Sequence, residues 1–210
     1  GPGVDRVVDG FNLSYGQDYG YRTGHHGEDY VPSSAAGLVA KNIRADSVIY
    51  DQDGIKITAI TVYHPPIEPA LAFRFDYQGR SVLISGDTVK DDNLIKAAQN
   101  VDVLIHEVIQ RDLVDIFVQS LRESGQGNLG KIIHDTHDYH ASPVEAAQAA
   151  NEASADLLVY YHYAPVPQNA IMDRIFMRGV DAVRPQGVLA ARDGTHIRLP
   201  GNSEIISVEK

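Results

Sequence analysis

The stretch IKITAITVYHPPIEPALAFRFDYQGRSVLISGDT, residues 55–88, decides the fold. Residues 55–63 alternate β-branched with other side chains, the period of a half-buried strand. Residues 70–77 (ALAFRFDY) alternate again, and Gln78-Gly79 supplies a tight turn into 81–85 (SVLIS). The expectation is a meander of three strands. Downstream, Asp91 or Asp92 can cap a helix running to about Gln99. Residues 101–105 (VDVLI) form a short, nearly continuous apolar run, as in strands covered on both faces.

Working outward, residues 112–124 are amphipathic, with Leu113, Ile116, Phe117 and Leu121 on one side and Gly125 at the stop. Residues 125–139 read as a loop bearing Gly, Asp and His. Ser142-Pro143-Val144-Glu145 matches a capping box with proline in the first helical position, and the Ala-rich run to Ala153 continues that helix. A buried strand over 157–161 (LLVYY), a helix over 169–178 and a hairpin over 188–199 turning at Asp193-Gly194 complete this part. On the N-terminal side, a helix over 4–19 precedes an irregular loop around GYRTGHHGEDY (20–30) and a short apolar stretch, 37–43. A meander followed by alternating strands and helices is a layered α/β (α+β) arrangement, and 210 residues suit a single domain over 1–210.

Composition narrows the chemistry. The absence of cysteine excludes disulfides and thiolate metal sites, so any transition metal must sit on imidazole and carboxylate. Eighteen Lys and Arg against 28 Asp and Glu, a net charge of −10, disfavour a broad nucleic-acid-binding face. No apolar run approaches the roughly eighteen residues of a membrane span, and the sequence shows no signal-peptide pattern. The default compartment is therefore the cytoplasm, with the periplasm open if a leader precedes residue 1.

The histidines are informative through their positions. His64 ends TAITVYH; Asp87 follows SVLIS; His106-Glu107 follows VDVLI; His162 follows LLVYY. Four strand-like runs each deliver a metal-competent or acid–base side chain at the C-terminal end, where sites in α/β sheets are assembled. Each has a plain reading taken singly: a strand-end His satisfied by backbone, Asp87 capping a turn, His106 bonding a carbonyl. Their coincidence points to a metal site. His134, His137 and His140 in HDTHDYH would drift around a helix and are not read as a three-histidine site. His140 stands apart from the other two, because it immediately precedes the capped helix start, where anions and developing negative charge are favoured. His25-His26 either line a pocket or stand in an exposed loop, and His196 is read as surface.

VYHPP (62–66), LISGDT (83–88), LIHEV (104–108), YHASPVEAA (139–147) and LVYYHYAP (158–165), in this order, resemble the ribonuclease Z-like and arylsulfatase-like branch of metallo-β-lactamase-fold hydrolases. The opening GPG, the helix after it and YRTGHHG resemble the segment that follows that family's main metal-binding loop. The resemblance implies the C-terminal part of an αββα sandwich holding two zinc ions, with manganese or iron as alternatives. It implies His64, Asp87 and His162 as metal ligands, Asp87 bridging the ions, and His140 protonating the leaving group. His106, Glu107, His25, His26 and Glu145 are candidates for the surrounding shell or pocket. Tyr21, Tyr63 and Tyr163 are further candidates for contact with substrate.

The family's H-x-H-x-D-H loop does not occur in the sequence. Truncation at the N-terminus is the expectation, with Gly1-Pro2 readable as a protease scar, and the piece alone is expected to be inactive. Loss of half a sandwich would expose an inner face, which predicts association with a copy or with the missing part. The resulting functional expectation is a dinuclear metal-dependent hydrolase of small-molecule esters, phosphodiesters first. One alternative is tRNA 3′ processing by a ribonuclease Z. Another is a non-catalytic binding or assembly remnant of the fold.

Overall fold

The computed structural model describes residues 3–209, so the reading of Gly1-Pro2 as a scar lies outside the described residues. Contacts cluster into two units, one ending at Arg44 and the other starting at Ala45. In the first unit, α1 spans Val4–His26 and a 3-10 turn spans Ser33–Ala35. The expected end of the helix near residue 19 is corrected, and so is the loop reading of the GYRTGHH segment. Gly20 and Gly24 each cost about 1 kcal/mol of helix propensity relative to Ala, but they leave the hydrogen-bond ladder intact. The helix stops at Gly27, whose φ of 87° only glycine adopts freely and whose N–H reaches Thr23 O. Residues 37–43 form no strand. Their backbone is held by Asn12, whose side chain both donates to Leu38 O and accepts from Leu38 N.

The second unit is built on one seven-stranded sheet in sequence order: β1 Ser47–Gln52, β2 Ile55–His64, β3 Ile67–Tyr77, β4 Arg80–Ile84, β5 Val103–Ile109, β6 Leu157–Ala164 and β7 Val188–Ala190. β1 to β4 pair antiparallel and β4 to β7 pair parallel. β1 extends the expected meander by a strand. Its signal was Asp53-Gly54, both at positive φ, as a primed two-residue hairpin turn requires. Gln78-Gly79 repeats that geometry between β3 and β4.

The parallel strands need crossovers, and these are helical. α2 (Asp92–Ala97) links β4 to β5, with Asp91 capping it. α3 (Arg111–Glu123), α4 (Gly127–Asp135), a 3-10 turn (Thr136–Asp138) and α5 (Pro143–Glu152) link β5 to β6. α6 (Ala170–Phe176) and α7 (Val180–Val183) link β6 to β7. The loop expected over 125–139 is thus corrected to a helix and a turn. Its glycines misled: Gly130 is there because α4 packs close on α3, and a Cβ would meet Val118 O at 3.4 Å.

The hairpin expected over 188–199 is corrected as well. β7 joins the large sheet, while β8 (His196–Arg198) pairs with β9 (Ser207–Glu209) in a separate ribbon. The core lies between the sheet and α2 and α5. It joins Ile60, Ala72, Leu83, Leu104 and Leu158 to Leu94 and to Ala146, Ala147, Ala149 and Ala150. Alanine on the buried face lets α5 lie close to the strands, and each fully buried Leu contributes about 1.5–3 kcal/mol. Among the described residues, no helix is long and apolar enough to cross a membrane.

Candidate metal centre

β2 and β4 both run antiparallel to β3, so they point the same way, and β5 and β6 run parallel to β4. The C-terminal ends of these four strands therefore share one edge of the sheet. His64 is the last residue of β2. Its ring is largely buried, and its Nε2 has no hydrogen-bond partner while lying 4.0 Å from Asp87 Oδ2. Asp87 follows β4 on a turn that only glycine permits. Gly86 has φ 61°, and a Cβ there would fall 2.5 Å from Leu71 O.

His162 comes from a bulge in β6, where the register with β5 slips beside Glu107 and Val108. It adopts φ 47°, in the left-handed region that costs a residue with a Cβ. That bend brings its Nδ1 to 3.5 Å from Asp87 Oδ1. The Asp87 carboxylate thus stands between two imidazoles, one on each oxygen.

His140 arrives from the other side, just ahead of Ser142, which caps α5 through the reciprocal capping box with Glu145. Its ring centroid lies 5.2 Å from that of His64 and 5.8 Å from that of His162. His140 Nδ1 donates to Glu107 Oε1 at 2.9 Å, which leaves Nε2 as the nitrogen open to a ligand. Glu107 is buried, and the same oxygen also accepts from the backbone N–H of Ala141 and of Thr88. Its second oxygen is buried without a partner.

Donor atoms of His64, Asp87 and His140 lie within 4.8 Å of one another, as do those of Glu107, His140 and His162. Buried polar atoms left unpaired, here His64 Nε2 and Glu107 Oε2, cost roughly 1–3 kcal/mol each. A cation held by His64 Nε2 and the Asp87 carboxylate would remove that cost at His64. The donor set of imidazoles and carboxylates fits a zinc-, manganese- or iron-type divalent ion.

The other expected residues divide. Successive residues of a strand face opposite sides, so with Glu107 turned to the cluster, His106 turns away. It is fully buried, its Nδ1 lies 2.7 Å from Glu107 O, and burial lowers its pKa, which keeps the ring neutral. Glu145 acts through Arg111: the carboxylate pairs with the guanidinium at 2.9 Å, and the guanidinium donates to His140 O at 3.0 Å. Burial raises the Glu145 pKa, but the bonds from Arg111 and Ser142 outweigh it and the net shift is downward.

His25 and His26 belong to the first unit, exposed in the last turn of α1, as is Tyr21 one turn earlier. Tyr63 is exposed and Tyr163 donates to Tyr160 O, while His196 is exposed as expected. Sequence reasoning missed Thr88, Arg111 and Tyr139, the last with its ring 4.7 Å from that of His64. Thr88 sits in the quoted SGDT string, but its contribution is a backbone N–H, which no side-chain pattern reveals.

A mixed sheet that gathers imidazoles and carboxylates at the C-terminal edge of its strands, with helical crossovers behind, is an arrangement that the metallo-β-lactamase fold shares. The chain belongs to that superfamily: the family model described as Beta-lactamase superfamily domain matches residues 15–163. A ribonuclease Z of Mycobacterium tuberculosis (strain ATCC 25618 / H37Rv) is 34% identical over 164 residues, covering 78% of this chain and 55% of that protein. The ribonuclease Z of Mycolicibacterium gilvum is 32% identical over 167 residues, 80% of this chain and 53% of its own length. The chain spans 53–66% of the length of the curated relatives it matches. The metallo-beta-lactamase fold protein YhfI from Bacillus subtilis superposes with a TM-score of 0.55 at 18% identity, over 83% of this chain and 58% of that one. At that identity the likeness concerns the fold alone.

Proposed function

We propose that the protein carrying this chain is a divalent-metal-dependent hydrolase of ester substrates, phosphodiesters first. The observation that carries the reading is the Asp87 carboxylate set between His64 and His162, with His140 held beside them by Glu107. In this reading His64, Asp87 and His162 hold metal, two zinc ions in the complete centre. When bound, the ions supply Lewis acidity and neutralise developing charge. The chain's own residues handle the proton. Glu107 fixes the His140 ring with Nδ1 as donor, so Nε2 is the nitrogen that carries a proton to a leaving oxygen, and Glu107 stabilises the imidazolium that carries it. Arg111, donating to His140 O, holds the backbone at that point.

The test uses the protein expressed from its full reading frame, loaded with zinc or manganese, and bis(p-nitrophenyl) phosphate as substrate. Asp87→Ala should abolish hydrolysis and lower bound metal, with the far-UV spectrum unchanged. Undiminished hydrolysis in that variant would overturn the reading. A second reading, tRNA 3′ processing, is favoured by the ribonuclease Z relatives at 32–34% identity. Cleavage of a 3′-extended tRNA by the same preparation, lost in Asp87→Ala, would select it.

A further inference from the structure

A second cluster of ligand-type side chains lies on α3 and α4, and none of its members belongs to the centre around Asp87. Asp115 is in the middle of α3; His134 is in the last turn of α4; His137 is in the 3-10 turn that follows. A spacing of three residues puts the two rings on one side of a helical turn, with centroids 4.9 Å apart. Asp115 Oδ1 faces both: it is 3.5 Å from His134 Nδ1 and 3.7 Å from His137 Nε2. These separations are long for hydrogen bonds. They are close to the spacing a cation requires, since a tetrahedral ion with bonds of about 2.0–2.1 Å sets its ligand atoms roughly 3.3 Å apart. All three donor atoms lie within 4.8 Å of one another.

His137 adds an independent observation. Its ring is 16% exposed, and its Nε2, the atom turned to Asp115, is buried with no hydrogen-bond partner. Asp115 and His134 are about half exposed, which leaves the cluster open to ions from solvent.

We propose that Asp115, His134 and His137 form a second divalent transition-metal site, of zinc type, that clasps α3 to the end of α4. Two imidazoles and one carboxylate leave a fourth position for water. The ligand set excludes calcium and magnesium, which prefer all-oxygen shells. Sequence spacing alone pointed away from this site, because HDTHDYH supplies only two of the three ligands. The third comes from another helix.

Cobalt(II) is the probe, because tetrahedral coordination gives it a visible absorption band. The chain carrying Asp87→Asn and His162→Ala, which disables the first centre, is titrated with cobalt and then with zinc. A saturable band should appear, zinc should bleach it, and zinc should raise the melting temperature. Adding Asp115→Asn or His137→Ala should weaken cobalt binding ~10-fold or more, about 1.4 kcal/mol, and remove the thermal shift. Metal-free circular dichroism checks that these variants fold. If the background chain does not fold, Asp115→Asn in the wild-type chain must lower the total cobalt bound. No saturable band, or one indifferent to the Asp115 and His137 variants, overturns the proposal.

Discussion

At the scale of single residues the centre depends on side chains aimed by costly local geometry. His162 occupies φ 47° in a β-bulge, which costs of order 1–3 kcal/mol for a residue with a Cβ. His162→Gly should therefore raise the unfolding free energy of the metal-free protein by about 1 kcal/mol, while weakening zinc binding. Denaturant titration and zinc titration on the same variant check both halves. A less stable metal-free protein would mean that the bend is not under strain. Glu107 makes a different prediction. Its oxygen orients His140 and takes two backbone N–H bonds. Glu107→Gln should lower kcat by roughly 10–100-fold, the usual effect of removing a group that orients a site residue, with KM and metal content little changed. Loss of metal instead would make Glu107 a ligand. The strand-end positions of His64, Asp87, Glu107 and His162 were legible in the sequence because each lies at the end of an apolar run read as a strand, alternating over 55–63 and nearly continuous over 101–105. Thr88 and Arg111 were not, because they act through contacts that exist only once the strands are paired.

Secondary-structure elements show the same division between local and non-local signals. The capping box at Ser142 and Glu145 is written within four residues, and the structure forms it in full. Ser142→Ala should cost about 1 kcal/mol, measurable by thermal or denaturant unfolding. Glu145 adds a pH dependence whose sign follows from its downward shift. A depressed carboxylate contributes stability above its unfolded pKa, here near 4.5, and that contribution disappears as pH falls through the lower folded value. The gap in melting temperature between the parent and Glu145→Gln should therefore be present at pH 7 and close below about pH 4.5. A gap that widened in acid would contradict the Arg111–Glu145 account. The elements misread were those whose partners lie far along the chain. β7 is three residues long and pairs in parallel with β6, across α6 and α7. Nothing within 188–199 distinguishes that from a hairpin at Asp193-Gly194.

For the molecule as a whole, electrostatics separates the two functional readings. Eighteen cationic side chains face 28 anionic ones, and the net charge of −10 opposes a polyanion at long range. Affinity for a nucleic-acid backbone comes mainly from neutralised phosphates and falls steeply with salt. Many of the Arg residues are already committed: Arg74 to Asp76, Arg80 to Asp102, Arg111 to Glu145, Arg192 to Asp173. Such pairs have no net charge to offer a phosphate. This chain should therefore not retard tRNA in a native gel at low micromolar concentration and about 0.15 M salt, conditions where non-specific binders with several phosphate contacts already show Kd values of 10⁻⁴–10⁻⁶ M. A small phosphodiester carries a single charge, so its turnover by the protein expressed from its full reading frame should be insensitive to ionic strength over the same range. A tRNA shift that weakens steeply with added salt would reveal a concentrated basic groove despite the net charge. That outcome would move the ribonuclease Z reading ahead of the small-ester one.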